Sequence, residues 1–227
     1  MGKKETCPAI TIVICALNEE ENLPYVLPKI PGSVNEVLLV DGHSTDATVE
    51  VAKKLCPKIR VLYQSGKGKG DAIKFGVSQA TGDIIITLDA DGQTNPEDID
   101  RFIAPLLNGY DLAKGTRLAH SRPPNMAKHR WFGNKILAIT SNILYGTKYT
   151  DICSGYNAFW KSAFQHLKLA TNGYEMEQEM MVKAKKSGLK VVEVEHHDAG
   201  RLSSDSKVSD IKQGFTDLWI IIKQCFL

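Results

Sequence analysis

The stretch Asp83–Gln93 (DIIITLDADGQ) joins an apolar run to an acidic turn. Residues 84–88 (IIITL) are mostly apolar and β-branched, which is typical of a strand covered on both faces. Two aspartates then flank a single residue, and Gly92 suits the bend of a turn. The stretch therefore predicts a buried strand that ends in a polar turn.

Earlier segments repeat this pattern of a buried strand. They are 9–17 (AITIVICAL), 36–40 (EVLLV) and 60–63 (RVLY). We expect helices between them: one opening at 18–22, where acidic residues suit the helix dipole, one ending near Leu55, and one from about Asp71 to Ala80. Strand and helix thus alternate four times in the first 90 residues, which predicts an α/β fold with a mostly parallel central sheet flanked by helices.

The later half is less regular, and no linker divides it from the first. We therefore expect a single domain, 1–227. The predicted elements are a short strand at 111–114, a helix with a broad apolar face at 128–145, a helix at 175–186, a strand at 189–194 and an amphipathic helix at 210–227.

Composition excludes several classes of protein. Of the 227 residues, 43% are hydrophobic and 24% charged, the balance of an ordinary globular protein. A net charge of +2 argues against nucleic-acid binding as the main function. The scattered cysteines form neither a disulfide framework nor a zinc site, which fits a reducing, cytoplasmic setting. We find no signal-peptide layout and no run of about 18 apolar residues.

Polar residues follow three of the predicted strands. Asn18 and Glu19 come after the first strand, Asp41 after the second, and Asp89 and Asp91 after the fourth. In open sheets of this kind, ligands bind beyond the carboxyl ends of the strands. Any one of these residues could simply belong to a loop. The coincidence of three strand ends favours a binding site.

The acidic turn has the chemistry of a cation site. Asp89 and Asp91 can both reach one hard cation or its bound phosphate, and Gln93 can add a neutral oxygen. The alternative is a solvated turn. Asp41 is placed to accept hydrogen bonds from a base or ribose, whereas Asp46 is interpreted mainly as a helix cap.

Basic residues suited to phosphate recognition occur in several loops. Lys67-Gly68-Lys69-Gly70 resembles a phosphate cradle without the Walker spacing, and a mobile basic loop is the alternative. The guanidinium groups of Arg117, Arg130 and Arg201 can bind phosphate oxygens in pairs, and Lys207 lies in the same late loop as Arg201. A solvated surface position is the alternative for each of them. The cluster 196–198 (HHD) is interpreted as polar surface, because adjacent strand residues face opposite ways.

Taken together, these pieces resemble the inverting glycosyltransferases of family 2, which have the nucleotide-diphospho-sugar transferase (GT-A) fold. The matching segments of the first half are ALNEE at 16–20, VDGHSTD at 40–46, GKGDA at 68–72 and LDADGQ at 88–93. The second half resembles the dolichyl- or polyprenyl-phosphate sugar synthases. Its matching segments are KGTR at 114–117, TDICSGYNAF at 150–159, YEMEQEM at 174–180 and the loop of Arg201 with Ser206 and Lys207.

The resemblance implies transfer of a hexose from GDP-mannose or a UDP-hexose to a dolichyl or polyprenyl phosphate, with inversion. It implies a Mg²⁺ or Mn²⁺ site at Asp89, Asp91 and Gln93, with Asp91 catalytic, and an acceptor-phosphate site at Arg117 and Arg130. Asp151 is the candidate base if the acceptor is a hydroxyl. The implied nucleotide-sugar site comprises Ala16, Asn18, Glu19, Asp41, Lys67, Gly68, Asp89, Ala90, Arg201 and Lys207.

The same resemblance divides the domain by function. Residues 1–93 would bind the nucleotide sugar, 94–209 the acceptor, and 210–227 would form the amphipathic helix. That helix and the segment 128–145 suit a membrane interface, so we expect a peripheral protein on the cytoplasmic face of a membrane. Core packing, a homo-oligomer contact or a separate membrane-anchoring partner are the alternatives for these apolar faces.

Two departures from the family pattern bear on function. The Q-x-x-R-W motif of processive members is not found, which disfavours polysaccharide synthesis. The late loop, RLSSDSKV, matches only loosely. Transfer to a sugar or protein hydroxyl remains a second hypothesis, and a non-catalytic nucleotide-sugar or membrane-binding module is a third.

Overall fold

A computed structural model describes residues 7–120, 122–124, 126–200 and 210–227. Its centre is a mixed seven-stranded sheet with the strand order β3-β2-β1-β4-β6-β5-β7. The strands are β1 (Ile10–Ala16), β2 (Glu36–Asp41), β3 (Arg60–Tyr63), β4 (Ile84–Asp89), β5 (Leu112–Thr116), β6 (Asn157–Trp160) and β7 (Val191–Glu195).

Helices cover both faces of this sheet. They are α1 (Leu23–Val26), α2 (Thr48–Leu55), α3 (Lys69–Gln79), α4 (Ile99–Leu107), α5 (Lys128–Tyr145), α6 (Lys161–Leu167), α7 (Met176–Lys186) and α8 (Asp210–Lys223). Short 3-10 turns occur at Leu27–Lys29, Pro96–Asp98 and Gln224–Phe226.

The predicted α/β fold with a mostly parallel sheet is confirmed. β1 lies between β2 and β4 and runs parallel to both, with Ile14 opposite Leu39 on one side and Leu88 on the other. These side chains have no or almost no exposure to solvent. Their burial on both faces explains why the strands are continuously apolar.

β6 is an antiparallel strand that sequence reasoning missed. It runs antiparallel to both β4 and β5. Its four residues are too few to show an alternating pattern, and they lie between segments without a clear period. β6 lies between β4 of the first half and β5 of the second half. It thereby joins the strands of both halves into one sheet.

The core consists of two layers separated by the sheet. Alternate residues of β1 face opposite layers, with Ile12 and Ile14 on one side and Val13 on the other. The first layer contains Leu23 of α1 and Phe102 of α4. The second layer contains side chains of α3, α5, α7 and α8.

The prediction that a helix opens at 18–22 is wrong. α1 begins only at Leu23 and has no acidic residue in its first turn. The acidic residues form a turn tied to the next loop, because Glu20 Oε2 accepts a hydrogen bond from the Ala47 N–H at 2.7 Å. The strands predicted at 111–114 and 189–194 are shifted by one or two residues, and α8 ends at Lys223.

Within the described ranges, the structure contains no helix with the length and apolar composition needed to cross a bilayer.

Candidate active site

A large cleft opens at the carboxyl ends of the first four strands. It encloses about 1720 Å³ and is also lined by residues of α5, α7 and α8. Pockets for one small ligand typically enclose roughly 300–1,000 Å³, so this cleft has room for two substrates. The predicted site residues that line it are Ala16, Glu19, Lys67, Gly68, Asp89, Ala90, Asp91, Gln93, Arg117 and Arg130.

The acidic turn lies at the floor of the cleft. Asp89 is the last residue of β4, and Gly92 takes a φ of 77° that bends the chain back. The turn is held by a hydrogen bond from the Gln93 N–H to Asp91 Oδ1 at 3.1 Å. Asp91 is buried while lining the cleft, so its carboxylate is held in a defined position.

Lys69, at the start of α3, bridges two carboxylates in this region. Its Nζ lies 2.8 Å from Oδ1 of Asp89 and 2.9 Å from Oε1 of Glu177. Burial opposes the charge on Lys69, but the two carboxylates outweigh burial and raise the pKa of Lys69 well above its ordinary value. The ammonium also lies over the ring of Tyr174, 5.7 Å from its centroid.

Sequence reasoning placed Lys69 in a candidate phosphate cradle and Glu177 in a candidate sugar-recognition segment, but it singled out neither as a site residue. Lys69 belongs to the GKGDA segment, which is the signal that could have found it. Glu177 lies in YEMEQEM, where the sequence offers no way to tell which acidic residue faces inward. The structure shows that Glu177 is buried and lines the cleft.

The glycine-rich turn before α3 approaches the segment that precedes α7. Gly68 has a φ of 92°, and a Cβ atom there would lie 2.3 Å from the carbonyl oxygen of Asn172. The Gly70 N–H donates to the Gly173 carbonyl at 3.2 Å. Only glycine fits at position 68, for both conformational and steric reasons. Lys67 is exposed at the edge of the cleft.

The loops after β1 and β2 bind to each other. Asn18 accepts a hydrogen bond from the Thr45 N–H at 2.8 Å, and its own N–H donates to Ser44 Oγ. Asp41 is buried and accepts hydrogen bonds from the backbone N–H groups of His43 and Ser44. Among the described residues, Asn18 and Asp41 thus lie next to the cleft without lining it. Their nucleotide-binding roles stay predictions.

Asp46 caps the start of α2 with its side chain, as the sequence predicted. Its Oδ1 accepts from the N–H of Thr48, the first residue of α2, at 3.0 Å. Thr48 in turn accepts a hydrogen bond from the Glu19 N–H through its hydroxyl at 2.8 Å. The start of α2 therefore orders the loop that carries Glu19 along the cleft.

Arg117 and the buried Asp151 form a bidentate ion pair. The Arg117 Nε–Asp151 Oδ2 distance is 2.8 Å and the Nη2–Oδ1 distance is 3.2 Å. Burial alone would raise the pKa of Asp151, but Arg117 and, more weakly, Lys114 lower it from 3.8 to about 2. A fully buried carboxylate of such low basicity suits the orientation of Arg117 better than proton abstraction. The predicted role of Asp151 as a base has no geometric support here.

The remaining predicted phosphate ligands come from α5 and the late loop. Arg130 is in the first turn of α5, beside His129, and both line the cleft. Arg201 and Lys207 lie outside the described residues, so their predicted contacts with the nucleotide stay predictions.

The interpretation of 196–198 as polar surface is wrong. His196 and Asp198 are buried, and only His197 is exposed. The ring of His196 packs edge-on against Tyr156, and its Nε2 lies 3.0 Å from Ser154 Oγ. Burial lowers the pKa of His196 to about 4, so the ring is neutral at physiological pH. β7 ends at Glu195, so the alternation argument did not apply to these residues.

The acidic turn has the donor set for a divalent cation. Asp89 and Asp91 supply two carboxylates at one strand end, and Gln93 lines the cleft beside them. Mg²⁺ is commonly held by one or two carboxylates together with substrate phosphates. No group of three or more His, Cys, Asp or Glu side chains in the described part of the chain is arranged to hold a metal. Two carboxylates and a neighbouring amide fit an ion that takes its remaining ligands from a phosphate.

Comparison with known proteins identifies the class. The model of "Glycosyl transferase family 2" matches residues 11–168, which contain β2 to β6, all of β1 but its first residue, and the acidic turn. This chain belongs to glycosyltransferase family 2.

Three relatives are similar over most of this chain. Glycosyltransferase AglJ of Haloferax volcanii is 34% identical over 83% of this chain and 62% of its own length. Dolichol-phosphate mannosyltransferase of Pyrococcus furiosus is 30% identical over 88% of this chain and 59% of its own length. UDP-N-acetylglucosamine–dolichyl-phosphate N-acetylglucosaminyltransferase of Methanococcus voltae is 31% identical, over 82% and 83%. The chain thus spans less than two thirds of the first two relatives.

A solved structure shows the same fold. Glucosyl-3-phosphoglycerate synthase from Mycobacterium tuberculosis, crystallised with Mn²⁺, UDP and glucosyl-3-phosphoglycerate, has a TM-score of 0.75. It is 21% identical, covering 97% of this chain and 81% of that one. The likeness establishes the nucleotide-diphospho-sugar transferase (GT-A) fold that the sequence predicted.

Proposed function

We propose that this glycosyltransferase moves a hexose from a nucleotide diphosphate-sugar to a polyprenyl or dolichyl phosphate, with inversion, at a membrane surface. One observation carries the lipid acceptor: an exposed apolar strip borders the cleft. We define the apolar strip as Phe132, Ile136, Ile139 and Ile143 of α5 with Ile211, Phe215 and Trp219 of α8, all of which are exposed. Four of its members also line the cleft: Phe132, Ile136, Ile211 and Phe215.

The spacing of the apolar strip supports a lipid surface as its partner. On α5 its members are separated by three or four residues, and on α8 by four, so each set lies along one side of its helix. Exposed apolar faces of this extent mark interaction or membrane sites. A strip that continues into the cleft suits an acceptor whose tail lies in lipid and whose phosphate reaches inward.

Arg117 supports a phosphate at the inner end of that path. Its contacts with Asp151 use Nε–H and one N–H of Nη2. In the described part of the chain no other partner of this guanidinium is seen, so the remaining N–H groups can bind a phosphate oxygen. Arg130 lies on α5, which carries part of the apolar strip, and adds a second positive charge.

The donor is proposed to bind beside the acidic turn. Asp89, Asp91 and Gln93 would hold Mg²⁺ or Mn²⁺ together with the diphosphate of the nucleotide sugar. When bound, the ion would neutralise the negative charge that develops on the leaving diphosphate. The solved relative with Mn²⁺ and UDP supports this arrangement. Ala16, Glu19, Lys67, Gly68 and Ala90 are proposed to line the nucleotide, since all of them line the cleft.

The reaction is proposed to be a direct displacement. An oxygen of the lipid phosphate attacks the anomeric carbon, the bond from that carbon to the β-phosphate oxygen breaks, and the nucleotide diphosphate leaves with the electron pair. A phosphate monoester has a second pKa of about 6, so it is largely ionised at neutral pH. The acceptor therefore needs no general base, which agrees with the low basicity of Asp151.

Names of relatives support a lipid acceptor and leave the sugar open. Two of them name dolichyl phosphate, one with mannose and one with N-acetylglucosamine. The solved relative names phosphoglycerate instead, a small soluble phosphate. The apolar strip favours the lipid, because binding of a soluble acceptor does not require exposed apolar helices beside the cleft.

An acceptor panel tests the proposal. The protein would be incubated with Mn²⁺ and radiolabelled GDP-mannose, UDP-glucose or UDP-N-acetylglucosamine, together with a short polyprenyl phosphate, the matching polyprenol or 3-phosphoglycerate. We expect a labelled lipid from the polyprenyl phosphate alone, with the inverted anomer by NMR and no product after full chelation. Labelling of polyprenol or 3-phosphoglycerate in preference to the lipid phosphate would overturn the acceptor, and turnover under full chelation would overturn the metal.

A further inference from the structure

One wall of the cleft is acidic, in contrast to its basic surroundings. The residues of α7 and α8 that line the cleft include two carboxylates and two amides: Glu177, Gln178, Gln213 and Asp217. The lysines and arginines of the cleft come from other elements, namely Lys67, Lys69, Arg117 and Arg130. Neither a diphosphate nor a lipid phosphate would be stabilised by a carboxylate wall.

Asp217 differs from the other buried carboxylates of this region. Asp151 is paired with Arg117, Glu177 with Lys69, and Glu179 with Lys183. Asp217 is only 6% exposed, yet within the described residues it makes no ion pair. Its Oδ1 accepts a hydrogen bond from Gln213 Nε2 at 2.7 Å. Among the described residues, no group donates a hydrogen bond to Oδ2 of Asp217. This oxygen is therefore an available acceptor on the wall of the cleft.

The Gln213 amide holds this arrangement together. Besides Asp217, its Nε2 lies 3.4 Å from Oε2 of Glu175, just before α7. Glu175 also accepts a hydrogen bond from the Gly173 N–H at 3.1 Å. The Gln213 amide therefore links the Asp217 carboxyl of α8 to Glu175, which directly precedes α7. The second carboxyl oxygen of Asp217 stays available on the cleft wall, where a ligand hydroxyl can donate a hydrogen bond to it.

The position of this wall indicates which part of the donor it meets. A single ammonium, Lys69, separates Glu177 from Asp89, with contacts of 2.9 Å and 2.8 Å. The wall thus begins directly beside the turn proposed to hold the diphosphate. The group attached to the β-phosphate is the sugar, which carries several hydroxyl donors. Carboxylate and amide oxygens are matched acceptors for those hydroxyls.

We propose that Gln213 and Asp217 of α8, next to Glu177 of α7, bind hydroxyl groups of the transferred sugar and select an uncharged or amino sugar over one that bears a carboxylate. This assignment rests on the proposed nucleotide-sugar donor. It makes α8 a two-sided element, with its outer side in the apolar strip and its inner side on the sugar.

Equilibrium binding separates the sugar from the rest of the donor. Calorimetric titrations with Mn²⁺ would use UDP, GDP, UDP-glucose, GDP-mannose and UDP-glucuronic acid on wild type, Asp217→Ala, Asp217→Asn and Gln213→Ala. We expect the Asp217→Ala and Gln213→Ala changes to weaken binding of the preferred neutral nucleotide sugar by roughly tenfold or more. Affinity for the plain nucleoside diphosphate should stay within about twofold. Asp217→Asn should narrow the preference for UDP-glucose over UDP-glucuronic acid.

Thr216→Ala is the matched control. Its hydroxyl donates to the Lys212 carbonyl of the same helix, and Thr216 does not line the cleft. Equal losses for diphosphate and nucleotide sugar in the Asp217 variants, or no loss for the sugar, would overturn this assignment while leaving the donor proposal intact. If wild type binds neither UDP nor GDP, the proposed function fails and this assignment fails with it. Asp217→Asn keeps the shape of the side chain, so folding of at least one variant is expected.

Discussion

Lys69 Nζ lies 2.8 Å from Asp89 Oδ1, so the turn proposed to hold a metal is partly neutralised by a protein cation. The same ammonium reaches Glu177 of α7. One side chain thereby joins the end of β4 to the wall of the cleft. Loss of that cation would leave two carboxylates facing each other in a largely buried place.

We therefore expect Lys69→Met to destabilise the fold. The loss should be on the order of 2–4 kcal/mol, below that for a fully buried pair because the Asp89 side chain is 30% exposed. For a chain of this size, that corresponds to a fall in Tm of roughly 5–15 °C. Mn²⁺ with nucleotide should restore more stability to this variant than to wild type. Differential scanning fluorimetry measures both effects.

Lys67→Met is the control for that experiment. Lys67 lies in the same turn but is exposed, and it makes no ion pair among the described residues. Its replacement should change the Tm by little. Equal shifts for Lys67→Met and Lys69→Met would contradict the bridging role of Lys69.

Asp151 should stabilise the protein above pH 4 and lose that effect in acid. Its folded-state pKa of about 2 is below the ordinary 3.8, so its contribution is complete above pH 3.8 and disappears as the pH falls through 2. The shift corresponds to about 2 kcal/mol. Urea unfolding of wild type and Asp151→Asn at several pH values measures it. A stability difference between the two that does not shrink between pH 4 and pH 2 would contradict the ion pair.

Asp217 should have the opposite pH dependence. Burial is the main cause that raises its pKa to about 7, with Glu177 and Glu175 adding to it. The folded state therefore resists ionisation, and wild type should lose stability relative to Asp217→Asn as the pH rises from 4 through 7. Thermal unfolding at pH 4 and pH 8 checks this. If Asp217→Asn is less stable than wild type at pH 8, the ionised carboxylate has a stabilising partner and the expected pH dependence is wrong.

The close approach at Gly68 gives a conformational prediction. Gly68→Ala would add both the strain of a positive φ and a collision with the Asn172 carbonyl. Gly109→Ala isolates the first effect, because Gly109 has a φ of 89° and open space around its Cβ position. We expect Gly68→Ala to cost at least about 1 kcal/mol more than Gly109→Ala in urea unfolding. Equal costs would mean that the turn can move away from α7.

The apolar strip gives a prediction about membranes. Phe215→Gln with Trp219→Gln should lower cosedimentation with vesicles of polyprenyl phosphate and anionic phospholipid, since both side chains are exposed. Turnover of a short, soluble polyprenyl phosphate should fall much less. Leu107→Gln is the control, because Leu107 is 58% exposed on α4 and does not belong to the strip. Equal vesicle binding by all three proteins would contradict a lipid partner for α8.

Sequence patterns predicted the parts of the fold that depend on local chemistry. Continuous β-branched runs mark β1 and β4 because both faces are buried, and the helical period of 128–145 marks α5 to the residue. β6 escaped detection because only its position between β4 and β5 makes it a strand. Burial of His196 is likewise a tertiary effect, since it depends on Tyr156 and Ser154 from distant parts of the chain.

The candidate site divides in the same way. Asp89, Asp91 and Gly92 are predictable because strand, turn and carboxylates are contiguous. The Lys69–Glu177 contact and the Arg117–Asp151 pair join residues far apart in sequence, and nothing local distinguishes those acids from their exposed neighbours. The inward face of α8 could not be predicted for the same reason. The sequence pattern of this helix marks its apolar side, but nothing local shows that Asp217 is buried.

The late position of β6 in the chain affects synthesis on the ribosome. Ile84 of β4 pairs with Trp160 of β6, so one edge of β4 has no strand beside it until that part of the chain emerges. At roughly 5–20 residues per second, the delay lasts several seconds. During that interval a very apolar strand edge is open to pairing with other nascent chains. Truncation before residue 157 would make this aggregation-prone edge permanent, so the first half of the domain is a poor candidate for expression by itself.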